Sequence, residues 1–540
     1  MGFIDEVIDD IAESPVMSKR DRQILFRKRA KLKVFIGKIS DDWTKHQKDS
    51  LSDTLIPRLY ALMKHTKLTR LVSLNTLTKV TKLRADTGLI SPQETYRWGI
   101  ELSKFAPRIS GTTNMDLTNK YIIEKLNSFG LNAWAEPMNF RAVLFKNFEL
   151  RILSPETKEI TCFPQNNVGF GDVTAKLIDV GKGEHDDYFG KEVEGQIVLV
   201  NWGTFRTHEG PCAARKRYTL LRMYDVAWAH KVAGMLGYFE DTPGNSLRVL
   251  EPGFKPVGGS NVWGPSEIGS DHQYQIPTLN IGREDAKYLR SLSNRGPIEV
   301  HMRIEGIRKV STTEHVVGVL PGRTSKTLLV GSHTCTAFEG AICDTSGTVG
   351  NLALAKYFSQ IPLGKRDKTL IFYFDSFHVW GNCPQAGLMF IKNHSNMIAD
   401  IEALIWLDHI GAGETSARTA VVSENPVLWP LFLISMAKNG RQPLALPMAK
   451  IYTGCMPGPF ARLGIPIVTQ QAIVEALLST EDTWDKFTPN DFFKDILIHV
   501  DLILWLQHIT IPRDTPGESL GGCGVLFTES DTPDYPNGES

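Results

Sequence analysis

The sequence predicts an α/β protein with a mainly parallel mixed sheet flanked by helices, a β-rich insert and an N-terminal helical arm. From Ser311 onward, strands, loops and helices alternate, which is typical of a parallel sheet. Between residues 147 and 308 the pattern changes to short apolar strands separated by Gly, Pro and Asp. Residues 18–105 instead keep the apolar spacing of helices, with Lys and Arg at many of the remaining positions.

A chain of 540 residues and 60.3 kDa is too long for one ordinary domain. We expect a helical arm over residues 1–100 and an α/β domain built from residues 101–146 and 309–512. The insert spans residues 147–308. Residues 513–540 are rich in Gly, Pro, Ser and Asp, which predicts an irregular tail.

The charge balance limits the classes of partner. Sixty Lys and Arg against sixty Asp and Glu give a net charge of zero, so no global basic field favours nucleic acid or an anionic membrane. No stretch approaches the roughly 20 apolar residues that span a bilayer. Residues 1–10 lack the basic start and apolar run of a secretory signal, which predicts a cytoplasmic protein. Seven cysteines are too few, and odd in number, for a disulfide framework.

Polar residues stand at the ends of three predicted strands of the α/β domain. These strands lead into His333, Asp375 and Asp408, and Asp344 lies in a loop just before the helix that begins near Ser346. A single Asp before a helix is more often a cap, and a single His more often a hydrogen-bonded surface group. Their joint placement at one sheet edge favours a site for a borderline divalent cation such as zinc.

Stretches along residues 100–510 resemble one family in their order along the chain. The family is the co-catalytic zinc aminopeptidases related to bacterial leucyl aminopeptidases, glutamate carboxypeptidase and the transferrin receptor. The resemblance implies that fold, with a protease-associated domain as the insert. The stretches are FAPRISGT (105–112), VEGQIVLVNWGT (193–204), IPTLNIGREDAKYL (276–289), HVVGVLPGRTSKTLLVGSHTCTAFEGAICDTSGT (315–348), FDSFHVWGN (374–382), IWLDHIG (405–411), PGPFARLGIP (457–466) and STEDTWDKF (479–487).

The resemblance also implies roles for the residues at the strand ends. The family's first histidine ligand falls on His333, the bridging carboxylate on Asp344 and the later aspartate ligand on Asp408. The general base falls on Asp375, which carries one methylene less than the family's glutamate.

Two ligands of the family's second metal are missing. The glutamate ligand falls on Ser376 and the final histidine on Leu478. His378, His409 and Glu475 are candidates to replace them, although simple loss is the better interpretation. The sequence therefore predicts one divalent ion, most simply zinc, held by the three retained ligands.

Cysteines stand in several of the segments that carry the resemblance. Cys335 replaces the aspartate that orients the first histidine ring in the family, which removes an expected partner. Cys343, Cys383 and Cys455 lie near the other site segments. They indicate either a soft-metal or thiol site or small apolar side chains that fill gaps, and we favour the second interpretation.

The predicted function is a metal-dependent hydrolase of amide or peptide bonds. The alternatives are an inactive peptidase-like protein used for binding or assembly, and a fold repurposed for a small non-peptide substrate. Trp380, Phe338 and Phe377 would line an aromatic pocket for such a substrate, or serve equally as packing residues. We expect a peptide or small amide as substrate and no nucleic acid or membrane partner. The apolar face of the helical arm would either pair subunits or pack against the protein's own core, and the sequence leaves both alternatives open.

Overall fold

The computed structural model describes residues 79–204, 223–249, 275–379, 383–411, 417–422, 425, 427–441, 445–447, 456–473 and 475–514. Most of the predicted arm and nearly all of the predicted tail lie outside these residues. Pairing of subunits through the arm therefore stays a prediction. Within the described residues, no helix is long and apolar enough to cross a membrane.

The described elements follow the predicted alternation. The strands are β1 (Asn132–Ser154), β2 (Lys158–Glu159), β3 (Cys162–Pro164), β4 (Gly171–Asp179), β5 (Ile197–Asn201), β6 (Gly234–Tyr238), β7 (Thr278–Ile281), β8 (Glu299–Leu320), β9 (Thr327–His333), β10 (Thr369–Asp375), β11 (Ile401–Leu407), β12 (Ala417–Val422), β13 (Ala445–Pro447) and β14 (Ile467–Ile473). The helices are α1 (Pro92–Ser103), α2 (Thr113–Ser128), α3 (Arg283–Ser293), α4 (Ser346–Ser359), α5 (Cys383–Asn393), α6 (Leu428–Lys438), α7 (Pro457–Arg462) and α8 (Pro489–Leu506).

The strands form one mixed sheet in the order β13-β12-β14-β11-β9-β10-β8-β4-β5-β6-β7-β3, with β1 paired to β8. The strands β10, β9, β11 and β14 are mutually parallel and form its centre. All seven residues of β9 are buried, as expected for an apolar strand covered by helices on both faces. The predicted α/β fold with a mainly parallel central sheet is confirmed.

A long antiparallel ribbon joins the central sheet to the strands of the predicted insert. β1 and β8 pair from Asn132 opposite Val319 to Ser154 opposite Glu299. One end of β8 also pairs with β10 and the other end with β4. Each predicted insert boundary falls within one of these continuous strands, so the domain limits stay a prediction.

Helices cover the central sheet and bury its connections. α4 follows β9 and is buried along most of its length because it is built from small and apolar residues. α1 begins at the cap Ser91, whose hydroxyl accepts the N–H of Glu94. α1 packs against α4 and α8, and it buries Trp98 and Leu102 in the common core. The last part of the predicted arm therefore belongs to the main body of the protein.

Candidate metal centre

The parallel register brings the predicted site residues to one edge of the sheet. Asp375 at the end of β10 pairs directly with His333 at the end of β9. β11 lies on the other side of β9 and leads into Asp408. Asp344 enters from the turn that precedes α4. All four side chains are buried.

His333 is oriented with one ring nitrogen toward the carboxylates. Its Nδ1–H donates to the backbone carbonyl of Cys335 at 3.2 Å, so the lone pair that could bind a cation is on Nε2. Nε2 lies 3.5 Å from Asp408 Oδ1 and 3.9 Å from Asp344 Oδ2. Burial, together with the neighbouring His378, lowers the pKa of His333 to about 4, so the ring is neutral at neutral pH.

This arrangement corrects one expectation from the sequence. Cys335 replaces an aspartate, and the loss of an orienting partner for the histidine ring was expected. The backbone carbonyl of Cys335 supplies that partner instead. The thiol of Cys335 has a different role, because it accepts the N–H of Val379 at 3.0 Å.

The two carboxylate oxygens of Asp344 have different surroundings. Oδ1 accepts the backbone N–H groups of Gly347 at 2.8 Å and His409 at 3.1 Å. Oδ2 is buried, has no hydrogen-bond partner among the described residues and lies nearest to His333. Burial raises the pKa of Asp344, and the negative charge of Asp408 raises it further. A carboxylate oxygen that is buried and has no hydrogen-bond donor among the described residues is suited to binding a cation.

Asp408 is the second carboxylate of the cluster. Burial alone would raise its pKa, but the nearby imidazoles of His409 and His333 outweigh burial and hold that pKa below its usual range. Its Oδ1 lies 3.0 Å from His409 Nε2. Its backbone N–H donates to the carbonyl of Gln470 on β14 at 3.2 Å, which fixes the chain where β11 ends.

A turn over Ala341–Thr345 carries Asp344 into the site, and residues far along the chain hold it there. The carboxylate of Asp482 accepts the N–H of Ile342 at 2.6 Å and of Cys343 at 3.1 Å. The buried guanidinium of Arg108 donates to the Thr345 hydroxyl at 2.7 Å. These contacts fix the turn before any ligand binds.

Asp375 stands beside the cluster and faces a different histidine. Its Oδ1 accepts the N–H of Phe377 at 2.7 Å and lies 3.4 Å from Nδ1 of the buried His315. Its Oδ2 is buried and has no hydrogen-bond partner in the described part of the chain. His315 comes from β8, and no pattern in the sequence places it next to the predicted general base.

The two positions without the family's second-metal ligands are built into the packing. The Ser376 hydroxyl donates to the Glu314 carbonyl at 2.7 Å and lies 2.9 Å from the Thr313 hydroxyl. Leu478 is buried, and its carbonyl accepts the N–H of Val249 at 3.2 Å. Neither side chain supplies a strong metal donor, as the sequence predicts.

Three further residues near the predicted ligands lie close to His333. The ring of His378 stacks on that of His333 at 4.2 Å and 13°. The ring of His409 stands edge-on at 6.0 Å, and Cys343 Sγ lies 3.7 Å from His333 Nε2. Cys343 and His409 each adjoin a predicted ligand, and this adjacency is the signal in the sequence. Glu475, the third candidate replacement, is exposed.

The aromatic residues proposed as pocket walls pack within the protein. Phe338 contacts Phe163 at 5.0 Å between ring centroids, and Phe377 contacts Phe140 at 4.6 Å. Phe377 is fully buried. Trp380 and Cys455, together with the side chain of Cys383, lie outside the described residues.

The donors at the sheet edge suit a divalent cation. An imidazole nitrogen and two carboxylates, all buried, form one group whose ligand atoms lie within 4.8 Å of one another: His333, Asp344 and Asp408. Zinc binds this combination of nitrogen and oxygen donors. The unpartnered Oδ2 of Asp344 is where a cation would balance the buried negative charge.

Comparison with solved structures identifies the fold. A zinc aminopeptidase from Bacillus subtilis matches over 76% of this chain and 94% of its own, with 16% identity and a TM-score of 0.55. A peptidase M28 precursor from Shewanella amazonensis matches over 79% of this chain and 100% of its own, with 16% identity and a TM-score of 0.61. No protein-family model matches the chain, and no curated protein matches it significantly in sequence. The chain has the fold of the zinc aminopeptidases, which is a metal-dependent peptidase fold.

Proposed function

We propose that the protein is a metal-dependent hydrolase of amide or peptide bonds that works with one divalent ion, most simply zinc. The observation that carries the proposal is the meeting of His333, Asp344 and Asp408 at one sheet edge. Their facing atoms are 3.5 Å and 3.9 Å from His333 Nε2, and Asp344 Oδ2 is buried without a hydrogen-bond partner among the described residues.

Three residues of the chain would bind the ion, and a fourth would accept a proton. A divalent ion, when bound, polarises a carbonyl group and lowers the pKa of water to about 7. His333 offers a neutral nitrogen, while Asp344 and Asp408 supply the negative charge that holds the ion. Asp375 is the proposed proton acceptor through Oδ2, because Oδ1 is already bonded to the Phe377 N–H.

The first experiment measures metal atoms per chain in the purified protein. We expect about one zinc per chain in the unaltered protein and none in His333→Ala, because that change removes the only imidazole nitrogen of the three-ligand set. His508→Ala is the matched control, since His508 is exposed and far along the chain from the site. Unchanged metal content in His333→Ala would overturn the ligand assignment, and about two atoms per chain would point to His378 as a further ligand.

The proton acceptor is tested separately from the metal. Asp375→Asn should keep the metal and lose turnover by about 10²–10⁴-fold, because an amide cannot accept the proton. Amino-acid anilides, dipeptides and small aryl amides form the panel. Equal turnover in Asp375→Asn would exclude the proposed role. Failure of the metal-loaded protein on every compound would instead favour a binding or assembly function.

A further inference from the structure

The donor atoms around His333 Nε2 outnumber the three proposed ligands. Cys343 is fully buried in the turn just before Asp344, and its backbone N–H is bonded to Asp482. Its Sγ, a ring nitrogen of His409 and one of His333 form a second group of mutually close ligand atoms, all within 4.8 Å. His333 belongs to both groups, and its Nε2 is the atom that faces Cys343 Sγ, Asp344 and Asp408.

Two of the observed spacings match those between ligands of one tetrahedral ion, while the distance from His333 Nε2 to Asp344 Oδ2 is longer, at 3.9 Å. Zinc–sulfur and zinc–nitrogen bonds of about 2.3 and 2.05 Å place sulfur and nitrogen about 3.6 Å apart. The distance from Cys343 Sγ to His333 Nε2 is 3.7 Å. Zinc–nitrogen and zinc–oxygen bonds of about 2.05 and 2.1 Å place nitrogen and oxygen ligands about 3.4 Å apart. Nε2 lies 3.5 Å from Asp408 Oδ1.

A second observation marks this place as a cation site. Asp344 Oδ2 is fully buried, has no hydrogen-bond partner among the described residues and faces the same Nε2 atom. Cys343 Sγ, from the residue before Asp344, lies 3.7 Å from that Nε2 atom. The turn thus presents a carboxylate and a thiol side by side.

We propose that Cys343 is a thiolate ligand of the ion held by His333, Asp344 and Asp408, and that it makes the site selective for thiophilic divalent metals. On binding, the S–H bond breaks, the sulfur keeps the electron pair and bonds the metal, and the proton is released to solvent. Zinc and cobalt accept a thiolate readily, whereas magnesium and manganese prefer oxygen ligands. This inference rests on the proposed metal site.

Cobalt substitution tests the inference without an activity assay. The purified protein is stripped with a chelator and loaded with Co²⁺, and bound cobalt is measured together with the near-ultraviolet spectrum. We expect a thiolate-to-cobalt charge-transfer band in the unaltered protein. The band should be lost in Cys343→Ser while cobalt stays bound through the other three ligands. Cys335→Ser and Cys162→Ser are the matched controls and should keep the band.

Each outcome has a separate meaning. Bound cobalt without the band, or an unchanged band in Cys343→Ser, would overturn the thiolate ligand and leave the proposed metal site standing. Failure of the unaltered protein to bind any cobalt would overturn the metal site itself. If a variant fails to fold, absence of the band from the cobalt-loaded unaltered protein still decides against the thiolate ligand. As a second readout, Cys343→Ser should bind zinc about tenfold more weakly and manganese equally well.

Discussion

The smallest feature that shapes the site is the absence of a side chain at Gly347. A Cβ at this position would lie 2.2 Å from Asp344 Oδ2 and 2.5 Å from the backbone carbonyl of Leu407. The carboxylate therefore occupies the space that a side chain would fill. Its other oxygen accepts the Gly347 N–H. Glycine is required here because the Asp344 carboxylate approaches so closely. Its backbone angles are not the reason, because they lie outside the left-handed region.

Gly347→Ala should displace the Asp344 carboxylate and lower zinc affinity by about tenfold or more, because the clash falls on the proposed ligand. Isothermal titration with zinc measures the change. Gly364→Ala is the matched control, since nothing lies within 4 Å of a Cβ at that position. Equal affinity in both variants would show that Asp344 does not hold the ion.

His409 is a second residue in an unusual state. Its backbone has φ of 57°, a left-handed conformation that costs a non-glycine residue about 1 kcal/mol or more. This conformation accompanies the bond from its N–H to Asp344 Oδ1. The position therefore stores backbone strain beside the proposed ligands, where strained residues are often functional.

At the scale of elements, the turn over Ala341–Thr345 is the part of the site that local sequence least explains. Its interior residues Cys343 and Asp344 have non-helical backbone angles. It is held by Asp482, about 140 residues further along the chain, and by Arg108, about 230 residues before it. Two remote segments thus set the position of one short turn.

Asp482→Ala should lower the free energy of unfolding by about 2–5 kcal/mol, because two buried N–H groups lose their acceptor. Metal affinity should fall as well, since the turn carries Asp344. Chemical denaturation and metal titration measure the two effects. The exposed Asp485 lies in the same loop, and Asp485→Ala should change neither. A loss of stability with unchanged metal affinity would mean that other contacts hold the turn.

The difference between strands and turn explains what could be predicted from the sequence. Apolar runs ending in His333, Asp375 and Asp408 are local signals, and parallel pairing necessarily brings their ends together. Adjacency to Asp344 marks Cys343 in the sequence, but the approach of Cys343 to His333 depends on the remote anchors of the turn. The bond from His333 to the Cys335 carbonyl involves a backbone atom, which the residue type does not reveal.

At the scale of the whole molecule, the proposed ligands tie together separate parts of the chain. His333 ends β9, Asp344 precedes α4, and Asp408 follows β11. The site holds two buried carboxylates next to the neutral imidazole of His333. A bound cation would balance this charge only in the folded state, because the three segments separate on unfolding.

Zinc should therefore stabilise the entire fold. At a free concentration 100 times its dissociation constant, it should add about 2.7 kcal/mol to the free energy of unfolding. Chemical denaturation with buffered zinc and with a chelator measures the difference. Asp344→Asn should reduce the effect strongly, whereas Asp172→Asn, at an exposed carboxylate, should retain it. An equal gain in Asp344→Asn would place the zinc elsewhere.

The packing around Ser376 and Leu478 opposes the addition of a second ion. Ser376 is bonded through its hydroxyl to the Glu314 carbonyl, through its N–H to His315 and through its carbonyl to Ser110. Leu478 is 3% exposed. A glutamate at the first position would have to displace these bonds, and a histidine at the second would bring a polar ring into the apolar interior. Neither substitution alone would complete the second ligand set, so a second ion at this site would need changes at both positions and in the residues packed around them.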